Sequence, residues 1–305
     1  MRPGPPLAVV WLHIALLAAP GIAMAQLAAP DLAFGAFQRG YYVTALKEAL
    51  ARLDANPNDA VAMTLIGVLY RDGTGVRRDL AEAAHWFRLA ADRGDREAIF
   101  SLGMMQLQGD GIPQDRISAL AWLEKAAARD HAGALYNLGI AALQGGSVSD
   151  FKRAADLLRR AAGLGDADAQ YALGLMYREG QGVAVDAAQG AQWLASAAGL
   201  RHVPAMVEFA IALFNGNGIE KDEAAAFKLF LKAANANNLV AQNRVARLLA
   251  AGRGTISKDM VQAMKWHLLA RAGGIQDQWL DSLLKTLSPV EQSEVELVVR
   301  AYAGN

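Results

Sequence analysis

Between residues 59 and 275 the apolar positions recur on two periods. The shorter is helical. In "REAIFSLGMMQLQ" (96–108) Ala98 and Leu102 stand four apart with Gly103 beside Leu102, and in 116–127 Ala119, Trp122 and Ala126 share one face. Four-residue spacing stacks side chains on one side of an α-helix. The longer period is a repeat. A small residue falls at Gly67, Gly103, Gly139, Gly174, Ala210 and Ala246, in steps of 36, 36, 35, 36 and 36. A glycine pair follows it at Gly73/Gly75, Gly109/Gly111, Gly180/Gly182, Gly216/Gly218 and Gly252/Gly254, while the third copy has Gly145-Gly146 and one residue fewer. An Asp comes next, at 79, 115, 150, 186, 222 and 259, and seven residues later Trp86, Trp122, Leu157, Trp193, Leu229 and Trp266. Ala pairs close the first five copies, and Ala270-Arg271 stands in the sixth.

Each feature has a physical reading. The small residue permits a close helix contact, since Gly inside a helix otherwise costs stability. The glycines end the first helix, taking left-handed conformations cheaply. The Asp is expected to cap the second helix by accepting orphan backbone N–H bonds. The Trp is expected to fill the gap between helices. One unit is therefore helix, glycine loop, helix, short turn. Alone it cannot bury its apolar faces; stacked, it builds a continuous core.

The pattern A-x3-L-G-x2-Y-x2-G-x-G-V-x2-D-x3-A-x2-W-x3-A-A resembles the Sel-one-like repeat, a relative of the tetratricopeptide repeat. Residues 62–91 fit with Ile66 for Leu, 98–127 with Gln106 for Tyr and Ile112 for Val, and 169–198 with Gly190 for Ala. Copy three ("LQGGSVSD", no Trp) and copies five and six (Ala for the first Gly) depart from it. The resemblance implies an all-α fold: a right-handed α-solenoid of antiparallel helix pairs, six repeats long, serving as a scaffold for protein contacts. Residues 26–58 read as a linker and an atypical first helix pair hinged near Gly40, and 276–305 as C-terminal capping helices. Ser288, Pro289 and Glu291 form an S-x-x-E capping box, and Val295, Val298, Val299 and Tyr302 make an apolar stripe.

The first 25 residues stand apart. Arg2 is followed by the apolar run "LAVVWLHIALLAA" (7–19), then Pro20, Gly21 and "AMA" (23–25). This reads as a secretory signal peptide cut after Ala25, the run being short for a bilayer span. The expected location is periplasmic or secreted, with no membrane insertion after cleavage. There is no Cys, so an exported chain relies on packing alone. Lys plus Arg number 30 and Asp plus Glu 30, which gives no electrostatic case for nucleic acid.

The sequence carries no recognisable catalytic constellation. His85, His131, His202 and His267 lie in different repeats without metal-ligand spacing, and turn or surface roles account for them. Some disulfide-rich relatives of the repeat are linked with β-lactam chemistry. S-x-x-K occurs at Ser149/Lys152 and Ser282/Lys285, but S-D-N is missing and "KTL" (285–287) replaces K-T-G. The recurring Asp residues sit at helix starts rather than in glycosidase pairs. No catalytic residue, metal or cofactor is expected.

In tetratricopeptide-like arrays the first helix of each pair lines the concave face. Two rows result: Thr64, Phe100, Tyr136, Tyr171, Val207, Asn243, and Val68, Met104, Ile140, Leu175, Ile211, Arg247. The middle four copies are apolar in both, so Phe100, Met104, Tyr136, Ile140, Tyr171, Leu175, Val207 and Ile211 are the candidate groove for a protein partner. The competing reading packs the same residues against neighbouring helices. The expected function is that of a non-catalytic, monomeric envelope scaffold that regulates or assembles a membrane partner. The alternative is an envelope enzyme acting on β-lactam or peptidoglycan.

Overall fold

A computed structural model describes residues 31–303 apart from Gly254. The leader sequence expected at 1–25 lies outside the described residues. Among the described residues there are sixteen helices and no strand. They form an all-α solenoid. An N-terminal pair, α1 (Leu32–Gln38) and α2 (Tyr42–Ala55), precedes six hairpins. These are α3 (Ala60–Asp72) with α4 (Leu80–Asp92), α5 (Arg96–Gln108) with α6 (Arg116–Ala127), and α7 (Ala132–Leu143) with α8 (Val148–Gly163). They continue with α9 (Ala167–Glu179) and α10 (Ala187–Gly199), α11 (Val203–Asn215) and α12 (Glu223–Asn235), α13 (Leu239–Ala251) and α14 (Met260–Ala272). Then come α15 (Gln278–Leu284) and α16 (Pro289–Ala303). From α1 to α14 each helix packs chiefly on its hairpin partner, each second helix up to α12 packs on the first helix of the next pair, and α16 packs on α14.

The deepest position of each hairpin is the residue after the Trp position. Phe87, Leu123, Leu158, Leu194 and Phe230 are all at most 2% exposed, whereas Trp86, Trp122 and Trp193 are only half-buried. The small residue faces this slot. A Cβ placed on Gly67 would stand 2.8 Å from the Phe87 ring, and one on Gly139 or Gly174 would stand 2.8 Å from Leu158 or Leu194 Cγ. Glycine there lets a large side chain of the second helix lie on the backbone of the first. Burying one such side chain contributes about 1.5–3 kcal/mol.

The sixth copy places His267 in this slot, fully buried. This corrects the expectation of a turn or surface role for that histidine. Its Nε2 lies 2.9 Å from Asp281 Oδ1 on α15, so the polar ring is accommodated by a carboxylate from the following helix.

Asp79, Asp115, Asp186, Asp222 and Asp259 cap α4, α6, α10, α12 and α14 as expected. Asp150 does not cap α8. In the copy that lost a residue the helix starts earlier, Ser147 is the N-cap, and Asp150 closes a capping box from the third position.

The two loop glycines differ in role. The first, such as Gly180 (φ 74°), is a left-handed C-cap. The second, also at positive φ, lies against the first turn of the preceding pair's second helix. Any Cβ on Gly182 would fall on the Phe151 carbonyl of α8, and any on Gly218 on the Ala187 carbonyl of α10. In the degenerate third copy Gly146 has positive φ but nothing within 4 Å.

The N-terminal end is fastened by ion pairs and the C-terminal end by packing. Arg52 of α2 bonds Asp31 at 2.7 Å and Asp59, the cap of α3, at 2.9 Å. At the other end α16 packs on α14, burying Val295 and setting Tyr302 edge-on to Trp266 at 5.3 Å. Ser288 and Glu291 exchange their capping bonds at the start of α16.

Gly146→Ala and Gly182→Ala impose the same left-handed strain, on the order of 1–2 kcal/mol, but only the second also meets backbone. In urea unfolding Gly182→Ala is expected to lower stability at least twice as much as Gly146→Ala. Equal losses would show that the loop contact carries no weight.

A candidate groove along the first helices

The candidate residues all lie on the first helices α5, α7, α9 and α11. Seven of the eight are half-buried, and Val207 is buried at 5% exposure. Their two rows are engaged differently.

The first row meets the cap of the next repeat. Thr64 Oγ1 donates to Asp95 at 2.9 Å. Phe100 stacks on the His131 ring at 4.2 Å, and Tyr171 packs on His202 at 4.8 Å. The Tyr136 phenol is pushed up by burial and by the charges of Asp168 and Asp166. Asn243 donates to Asp277 at 2.8 Å. This row therefore serves partly as inter-repeat packing.

The histidines in it are helix caps, a role that the sequence pattern left unread. His131 Nδ1 accepts from the Ala134 N–H and His202 Nδ1 from the Ala205 N–H, both at 3.1 Å. Each Nε2 points back to the preceding first helix, 3.0 Å from Glu97 or Asp168. An accepting Nδ1 leaves the proton on Nε2, which then donates to the carboxylate. That bond holds Glu97 below the usual carboxylate range.

The second row (Val68, Met104, Ile140, Leu175 and Ile211) is half-buried. Between α11 and α13 it opens into a cavity of about 150 Å³ lined by Ile211, Phe214, Phe230, Arg244 and Arg247 among others. Beside it Arg178 of α9 bonds Glu208 of α11 at 2.6 Å. The polar side of this half was missed in the sequence. The residues two before the small position, Glu208 and Arg244, are the visible clue.

The rows end at Asp277, the cap of α15. It is 5% exposed and receives Asn243, both Arg247 Nε and Nη2, and the Leu280 N–H. Burial pushes its carboxyl up, but the bonds from Arg247, Asn243 and Leu280 outweigh this and set it at about 2.

The candidate serines are used locally. Ser149 Oγ lies 2.8 Å from Ser147 Oγ in the α8 capping turn, and Ser282 Oγ donates to the Trp279 carbonyl at 2.6 Å. Among the described residues no three His, Cys, Asp or Glu side chains converge as a metal site, and no helix is long and apolar enough to cross a membrane.

Stacked hairpins with a glycine loop and an aromatic or aliphatic core slot define a Sel1-type α-solenoid. The Sel1 repeat matches residues 60–95, 96–131, 132–166, 167–202, 203–238 and 239–275, and the chain belongs to this family. It is similar to the crystal structure of a Sel1 repeat protein from Oxalobacter formigenes, with 29% identity and a TM-score of 0.70 over 79% of this chain and 98% of that one. It is also similar to c5321, a protective antigen of uropathogenic Escherichia coli strains displaying the same fold, at 27% identity and a TM-score of 0.70. There the match covers 86% of this chain and 57% of the antigen. None of the curated proteins compared matches the chain. Sel1 repeat proteins typically mediate protein–protein interaction and are generally non-catalytic.

Because the Asp277 carboxyl is lower in the fold than its ordinary 3.8, it stabilises the C-terminal end above about pH 4. That contribution, on the order of 2 kcal/mol, is lost as pH falls from about 4 towards 2. Asp277→Asn is expected to remove most of it and to flatten the acid limb of the stability profile. An unchanged profile in the variant would refute the assignment.

Proposed function

We propose that the chain is a non-catalytic scaffold, exported to the cell envelope, that holds a segment of a membrane-associated partner along its first helices. The observation that carries the reading is the second row. Met104, Ile140, Leu175 and Ile211 present half-buried apolar side chains in register on four successive hairpins, a spacing suited to an extended or helical peptide. The cavity beside Ile211 and the Arg178–Glu208 and Arg244 edge would supply polar specificity at one end. The first row is the less suitable target for mutation, because Phe100 and Tyr171 also seat the histidine caps. The basic start, short apolar run and small-x-small ending of residues 1–25 support export.

Crosslinking capture from envelope extracts tests the reading with Leu175→Asp/Ile211→Asp against the wild type. The expected result is loss of a discrete membrane-associated partner from the double variant, with its helical circular dichroism unchanged. A captured set identical for both proteins would rule the groove out. Recovered protein is expected to begin at Gln26, which N-terminal sequencing reads directly; an intact Met1 would exclude export by this route.

A further inference from the structure

A separate cleft lies between two second helices and the first helix that joins them. Between α10 and α12 lies an open cavity of about 650 Å³ whose lining includes Ala195, Met206, Phe209 and Leu229, with Arg201 and Lys232 at its rim. The repeat register explains why it exists. Between α4 and α6 the same place is filled from both sides: Trp122 of α6 lies beneath Arg88 of α4, whose guanidinium is 5.5 Å from the ring centroid. Arg88 stands two residues after the Trp position of its own helix. The equivalent residue of α10 is Ala195, and the Trp position of α12 is Leu229.

Every other junction of consecutive second helices in the six repeats keeps a larger side chain in at least one of these two places: Glu124 over Leu157, Arg159 over Trp193, Leu231 over Trp266. Only between α10 and α12 are both cut back. Phe209 accordingly stays half-buried, whereas its counterparts Ile66, Leu102 and Leu173 are fully buried.

We infer that this cleft is a docking site for a tryptophan side chain presented by an acidic peptide segment of a partner protein. The indole would take the space that Trp122 occupies in its own junction. The charge of the rim selects the flanks. The lining holds Arg201 and Lys232 and no acid. Both cations are exposed, and among the described residues neither is paired with a carboxylate. Cations beside an indole face also contribute directly, as Arg88 does over Trp122. The volume is within the range of sites that bury a small ligand. The lining comes from α10, α11, α12 and the turns after α10 and α12, and it includes none of the eight candidate groove residues, so the two sites can be mutated separately.

The test titrates the protein, labelled at its methionine methyls, with the peptide acetyl-Glu-Trp-Glu-amide and follows the Met206 resonance, assigned through Met206→Leu. A saturable shift is expected with this peptide and none with acetyl-Glu-Ala-Glu-amide. Leu229→Trp fills the cleft from within and is expected to abolish binding. Arg201→Asn/Lys232→Glu alters only exposed side chains, with Asn tolerating the left-handed backbone at 201 (φ 66°), and is expected to weaken binding at least tenfold. That second variant decides the matter should Leu229→Trp fail to fold. Leu175→Asp/Ile211→Asp is expected to bind as the wild type, which separates this site from the groove. An unmoved Met206 resonance, equal binding of the alanine peptide, or full affinity in the charge variant would each overturn the inference.

Discussion

The array depends on close backbone approach between successive hairpins. Gly182 and Gly218 leave no room for a Cβ above the opening turn of the helix two elements earlier. This contact sets how far one hairpin may slide or rotate on the last. The core slot does the same within a hairpin, where Leu194 rests on Gly174. Both are constraints of shape rather than of strong attraction. Stability then accumulates from many ordinary burials, each shared only with an adjacent unit.

Polar chemistry is layered onto this frame at the helix starts. Asp95, His131 and His202 each cap a first helix while touching the preceding one. A single residue thus satisfies orphan N–H groups and joins two repeats. The histidine versions use both ring nitrogens for this, one accepting and one donating, so they substitute for Asp without loss of connectivity.

Much of the fold was legible because its demands fall on backbone-like features. Small residues, glycine loops and most capping Asp residues recur where helices must approach, end or begin. Two elements were not legible. The deletion in copy three moved the cap from Asp150 to Ser147, since a shorter loop lets the helix begin a turn sooner. The core slot was hidden behind its conspicuous neighbour: Trp86, Trp122 and Trp193 draw the eye, but the next residue is the one that is fully enclosed. The sequence placed the two candidate rows on the first helices, where they lie. What periodicity could not show is that the first row is held by the caps of the next repeat, because that contact joins residues about 31 apart across a turn.

His267 gives the sixth hairpin a different character from the five before it. Its slot holds an imidazole answered by Asp281, and Arg247 of α13 is answered by Asp277. A seventh hairpin of ordinary sequence grafted in place of α15 and α16 would bring a capping Asp where Asp277 stands but no counterpart of Asp281. Lengthening the array at this end by duplicating a unit therefore also requires His267 to give way to the Phe or Leu that fills the other five slots.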